Sequence, residues 1–127
     1  YTPYRERSKE KYSNYWFSSS DGMTADLFVK LLSQKNIDKL VREDGCAIVY
    51  THFGYGFTDQ NGNLRKDVQA AIEYLASKDG WFAPASEILD WMLERKHKKE
   101  TISGMQSTLL DARWMAERVV RRLRDNV

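Results

Sequence analysis

Cysteine is almost absent: the 127-residue chain has one, Cys46. It can therefore form no internal disulfide and no cysteine-rich zinc site. Histidine is nearly as scarce, with only His52 and His97, so a metal centre would have to draw on carboxylates such as Asp21 or Asp59. No apolar run approaches the roughly 18 residues that read as a membrane span, and the charged, aromatic N-terminus does not read as a signal peptide. The net charge of +2 is too small to argue for a nucleic-acid partner. Internal repeats and low-complexity segments are not apparent. What remains is a globular composition, 42% hydrophobic and 30% charged. The length suits one domain, 1–127, made of a polar arm (1–14), a β/α core (15–97) and a C-terminal helix (104–125). A chain that begins at Tyr1 is also what a piece of a longer protein would look like.

The pattern is organised around the run from Gly45 to Gly54, Gly-Cys-Ala-Ile-Val-Tyr-Thr-His-Phe-Gly. A short, nearly all-apolar run bounded by turn residues predicts a strand buried on both faces, with Cys46 packed inside it. Before it, Tyr15-Trp16-Phe17-Ser18 suggests a short strand. Thr24 then caps a helix that buries Leu27, Phe28, Leu31 and Leu32. Asn36 is expected to cap a second helix, with Gly45 in the left-handed position after it. After the central strand comes a loop from Phe53 to Asn63, long for an ordinary strand-to-helix connection. Asn63 is expected to cap a helix carrying Leu64, Val68, Ile72 and Leu75 on one face. Trp81-Phe82-Ala83 reads as a third strand, Ser86 as the cap of the next helix, and 105–124 as a final helix. Positive charge from Arg95 to Lys99, including His97, suits the end of the helix after Ser86. Strands alternating with helices predict a small parallel α/β unit of about three strands with flanking helices.

Chemistry concentrates at the C-terminal end of the central strand, where parallel α/β folds gather ligands and catalytic groups. His52 beside a glycine-rich loop can act as acid, base or ligand near neutral pH. The same residue can also be a strand-end histidine bonded to backbone. Tyr55 and Phe57 in the loop, and Trp16 upstream, offer aromatic surface to a substrate. Cys46 and His52 are six residues apart on a strand, about 20 Å, so they cannot form a nucleophile pair. The segment Asp59-Gln60-Asn61-Gly62-Asn63 lacks the calcium-loop glycine position and the closing glutamate, and reads instead as an Asn-Gly turn leading into a helix. Arg113, Arg118, Arg121, Arg122 and Arg124 on the last helix read as a solvated face, or as a surface for an anionic partner.

The order of these features resembles the C-terminal part of the polysaccharide deacetylase superfamily. The likeness runs from Tyr15 to Leu93. It rests on Trp16-Phe17-Ser18-Ser19-Ser20-Asp21-Gly22, the Gly45–His52 strand, the glycine loop with its helix, and Gly80-Trp81-Phe82-Ala83-Pro84-Ala85-Ser86-Glu87-Ile88-Leu89. The resemblance implies the last part of a distorted (β/α) barrel whose members remove acetyl groups from sugars with a divalent metal. It implies His52 as the acid that protonates the leaving group and Asp21 as the late-loop aspartate. Phe53 follows His52 where the family often has an aspartate, and neither an Asp-Asp nor a His-x-x-x-His metal motif occurs in this chain. The resemblance therefore implies no cofactor in this chain, with a divalent metal supplied by an upstream segment. The partners it suggests are carbohydrate and either the N-terminal part of the same protein or a second copy. The competing expectation is a non-catalytic α/β interaction module that self-associates or binds a protein partner.

Overall fold

A computed structural model describes residues 3–95 and 101–125. The basic run from Lys96 to Lys99, with His97, lies outside the described residues. In chain order the elements are β1 (Arg5–Glu6), a 3-10 turn (Arg7–Lys9), β2 (Ser20–Asp21), α1 (Ala25–Leu31), α2 (Gln34–Arg42), β3 (Val49–Tyr50), α3 (Lys66–Ala76), α4 (Ala85–Arg95), β4 (Thr101–Ile102) and α5 (Gly104–Asp125). This is a small α/β fold with parallel strand pairing, as the alternation of strands and helices predicts. The chain forms two compact units, one from Ser18–Ile88 and one from Tyr1–Phe17 with Leu89–Val127.

In the Ser18–Ile88 unit, β2 and β3 pair in parallel, Ser20 against Val49 and Asp21 against Tyr50. The connection between them contains α1 and α2. Thr24 caps α1 as its sequence position predicts, its hydroxyl accepting from the Leu27 N–H. The core is Ala25 and Phe28 of α1, Val68 of α3 and Phe57 of the intervening loop, with Val29, Leu32 and Val49 against them. Between α2 and α3, the Tyr74 hydroxyl donates to Asp38 at 2.8 Å, and Lys78, just past α3, reaches the same carboxylate oxygen at 2.8 Å.

Several expectations give way here. The strand between Gly45 and His52 shrinks to Val49–Tyr50, and Cys46 is exposed, not packed. A two-stranded sheet has too little width to cover the rest of the run, which leaves α2 as irregular backbone. Tyr15–Ser18 is not a strand; the pairing residues are Ser20 and Asp21, while Trp16 makes a single antiparallel bridge with Tyr4. Residues 81–83 pair with nothing in the described sheets, so each parallel sheet has two strands.

The helix ends also differ. Ser33 stands at the start of α2, and the Asn36 side chain donates back to the Lys30 and Leu31 carbonyls instead of capping. The end of α2 is a Schellman closure: Gly45 N–H to Leu40 O at 2.9 Å and Asp44 N–H to Val41 O at 3.2 Å. Asp44, not Gly45, takes the left-handed conformation, with φ of 46°. Asn63 caps nothing; it closes a tight turn on Asp59, and the first turn of α3 is held by Asp67, whose carboxylate accepts from the Val68 N–H. Ser86 falls inside α4, whose Ile88 N–H reaches the Pro84 carbonyl.

In the second unit, β1 and β4 pair in parallel, Arg5 against Thr101 and Glu6 against Ile102. The buried Glu6 carboxylate accepts from the Ser8 and Ser107 hydroxyls and pairs with Lys9 at 3.0 Å. Lys9 first, and then the two hydroxyls against the opposing effect of burial, hold Glu6 below the ordinary carboxylate range. The long helix α5 begins with a reciprocal capping box. The Ser103 hydroxyl accepts from the Gln106 N–H, and the Gln106 side chain accepts from the Ser103 N–H.

Candidate functional site

The parallel β2–β3 pair points both C-terminal ends the same way, and the candidate residues Asp21 and His52 lie at those ends. Backbone bonds continue past the strands: Gly22 N–H donates to Tyr50 O at 2.9 Å, and His52 N–H donates to Met23 O at 3.3 Å. His52 is thus tied to the segment that follows Asp21. Both side chains are exposed. The Asp21 carboxylate accepts from the Met23 N–H at 3.2 Å, which fixes the bend between β2 and α1.

The loop after His52 is shaped by three contacts. Tyr55 N–H donates to the His52 carbonyl at 3.0 Å, closing a turn, and Ala25 N–H at the start of α1 donates to the Tyr55 carbonyl at 3.0 Å. The Tyr55 ring lies beside the imidazole, centroids 4.6 Å apart and planes tilted by 37°. Gly54 faces the imidazole edge, and a β-carbon there would come within 3.3 Å of Nδ1 and 3.4 Å of Cε1. The turn accepts no larger residue without moving the histidine.

Arg65 holds this loop from below and was not singled out by the sequence. Its guanidinium donates to Asp67 through Nε at 3.1 Å and Nη2 at 2.6 Å, to Asp26 at 2.8 Å and to the Gly56 carbonyl at 3.2 Å. One side chain joins α1, the loop and the first turn of α3. Asp67 and then Asp26 raise the Arg65 pKa further, while Arg65 lowers that of Asp67. The sequence signal was an arginine two residues before an aspartate in a first helical turn, a spacing that also fits an ordinary surface pair.

The five candidates do not converge. His52, Asp21 and Tyr55 are brought to the strand ends. Phe57 is 3% exposed and belongs to the core, its ring edge-on to Phe28 at 5.3 Å and to Phe53 at 5.2 Å. It supports the loop and presents no face to a substrate. Trp16 belongs to the other unit, where Lys9 lies 5.3 Å from its ring. Among the described residues, no group of three or more His, Cys, Asp or Glu side chains could hold a metal ion. Asp21 and His52 alone do not fit a divalent-metal centre. The Asp59 turn is likewise a structural device: its Oδ1 accepts from Asn61 N–H and Asn63 N–H at 2.8 and 2.9 Å. The Asn63 backbone bond first, and then Asn61 and the Asn63 side chain, lower the Asp59 pKa against burial.

The arrangement can move a proton at an exposed imidazole, with Tyr55 offering a ring face and Asp21 a carboxylate nearby in the fold. No family model, curated protein or solved structure matches this chain.

Proposed function

We propose that this chain is the C-terminal portion of a polysaccharide deacetylase-like hydrolase, contributing His52 to a site completed by residues outside this sequence. The observation that carries the reading is the placement of Asp21 and His52 at the C-terminal ends of adjacent parallel strands joined through helices, the position expected of site residues in a β/α barrel. The sheet supports it as well, since among the described residues β2 and β3 have only each other as partners and further strands can add at either edge. Beside His52, the buried Thr51 hydroxyl has no hydrogen-bond partner among the described residues, as a group completed from outside would.

In this reading water, deprotonated by the base of the missing part, adds to the acetyl carbonyl, and His52 gives its proton to the sugar nitrogen or oxygen as the bond from that atom to the acetyl carbon breaks and acetate is released. Tyr55 keeps the imidazole oriented and offers a stacking face to a sugar ring. Asp21 shapes the approach. The base and any metal belong to the missing part.

The test is turnover of an acetylated sugar oligomer by the 127-residue chain alone and with its contiguous upstream region. The expected result is no turnover alone, turnover together, and loss of turnover in His52→Ala. Turnover by the isolated chain would sink the claim of incompleteness, and full activity in His52→Ala would remove the histidine from the chemistry. A second reading, a non-catalytic module that self-associates, is favoured by a different observation, the exposed apolar side of α5.

A further inference from the structure

We propose that α5 is the pairing surface for a second copy of this chain, forming an antiparallel two-helix coiled coil. The inference does not rest on the hydrolase reading. The apolar or small residues Met105, Leu109, Ala112, Ala116, Val119 and Leu123 follow a 4-3-4-3-4 spacing, which is a heptad seam and not the looser period of a helix covering a globular core. All six are exposed. Met105 is 76%, Leu109 64%, Val119 56% and Leu123 66% exposed. The half-buried Gln106, Ser107 and Leu110 lie off this seam, and Ser107 bonds Glu6. The helix is thus attached to its own unit by one side while the seam stays uncovered. Its 22 residues span about 33 Å, long enough for three heptads.

The seam also says which partner fits. It is a size palindrome about Trp114. Turned end for end, Met105 meets Leu123, Leu109 meets Val119, and Ala112 meets Ala116 of the other copy. Large residues oppose large ones at the ends, and alanine opposes alanine in the middle, where backbones approach most closely. A self-complementary surface of this kind is what a two-fold interface requires. Charge selects the same direction. From Gly104 to Ala112 the helix carries Asp111 and no basic residue, whereas Arg113, Arg118, Arg121, Arg122 and Arg124 crowd the second half. Parallel pairing would set these arginines side by side; antiparallel pairing spreads them along the dimer and opposes the helix dipoles favourably. Arg113 falls nearest its own counterpart, and Glu117 neutralises it from the same helix at 2.8 Å.

The experiment is sedimentation of the full 127-residue chain, with cross-linking to read direction. The wild-type chain sediments as a dimer. The double variant A112E/A116E, at exposed positions where glutamate keeps helix propensity, retains its circular dichroism and dissociates at least tenfold more readily. Arg118→Glu, off the seam, leaves the dimer in place. In a Cys46→Ser background, chains carrying Met105→Cys and chains carrying Leu123→Cys are mixed and oxidised. The mixed disulfide forms in preference to either homotypic one. A monomeric wild type, a larger oligomer, an undisturbed dimer in A112E/A116E, or predominant homotypic cross-links would each overturn the proposal.

Discussion

Phe57→Ala separates a core residue from a ligand contact. The side chain sits with Ala25, Phe28 and Val68 in the centre of the Ser18–Ile88 unit, edge-on to two other rings. Truncating a buried phenylalanine costs about 3–5 kcal/mol, the lost transfer energy plus the cavity left behind. Of that, the ring pairings account for roughly 0.5–1.5 kcal/mol each. Against a total stability of about 5–15 kcal/mol for a domain, the variant should stand close to unfolding. With a urea m-value of about 2 kcal/mol/M, the midpoint of this unit should fall by roughly 2 M.

Urea titration followed by far-UV circular dichroism measures the shift. Phe53→Ala is the companion: its exposed ring loses only the edge contact with Phe57, so the loss should be about 1 kcal/mol. Tyr55→Ala, exposed and outside the core, should change stability least and disturb His52 most. If Phe57→Ala kept its midpoint while sugar binding vanished, the ring would face a ligand and the core assignment would be wrong.

Three further outcomes are expected. Asp44→Gly should raise stability by about 0.5–1 kcal/mol in thermal or urea unfolding, because Asp44 carries a β-carbon into the left-handed region at φ of 46°; a loss would mean its side chain matters more than its backbone. Ser103→Ala should remove about 1 kcal/mol from the unit containing α5, visible as fraying of the first turn by hydrogen exchange. For pH, Lys78 first and Tyr74 next hold the Asp38 carboxylate below the ordinary 3.8, so its contribution is present above that value and is lost as pH falls through the lowered one. Lys78 is raised above the ordinary 10.5 by Asp38 first, so its share is present below 10.5 and is lost as pH rises through the raised value. Asp38→Asn should flatten the acid side of the stability profile, with the remaining slope left to groups such as Asp59 and Asp67; an unchanged acid slope would refute the pairing.

Local signals were legible where one residue decides the geometry. Thr24 before an amphipathic run gave the start of α1, and the periodic residues after Gly104 gave the span of α5. The alternation of strands and helices gave parallel pairing. Register and burial were not legible, because they depend on what lies alongside. The run around Cys46 has the composition of a central strand, but with one neighbouring strand it has no second face to bury. Asn36 and Asn63 are good capping residues placed where neighbouring carbonyls or the Asp59 turn bind them first. The Ser103–Gln106 box stands in the sequence as Ser-x-x-Gln directly before the periodic run of α5. Arg65 could not be told from an ordinary surface pair with Asp67, since its role in the loop comes from Asp26 and the Gly56 carbonyl, which only the fold brings to it.

Two of the exposed apolar surfaces among the described residues differ in pattern, and the patterns suit different roles. On α5, Met105, Leu109, Ala112, Ala116, Val119 and Leu123 keep a heptad period and a mirror symmetry that suit another helix, with Trp114, Met115 and Val120 exposed beside the seam. At the ends of β2 and β3, Tyr50, Phe53 and Tyr55 are exposed without any period, the Tyr55 ring against His52 and the Phe53 ring against Phe57. A partner helix would gain little from that cluster, because its side chains stand on a tight turn and a strand end and present no continuous stripe. A flat ligand such as a sugar ring, or an additional strand, would cover it efficiently. The hydrolase reading rests on the ends of β2 and β3 and the pairing surface on the α5 seam, each with its own measurement, and the failure of one leaves the other standing.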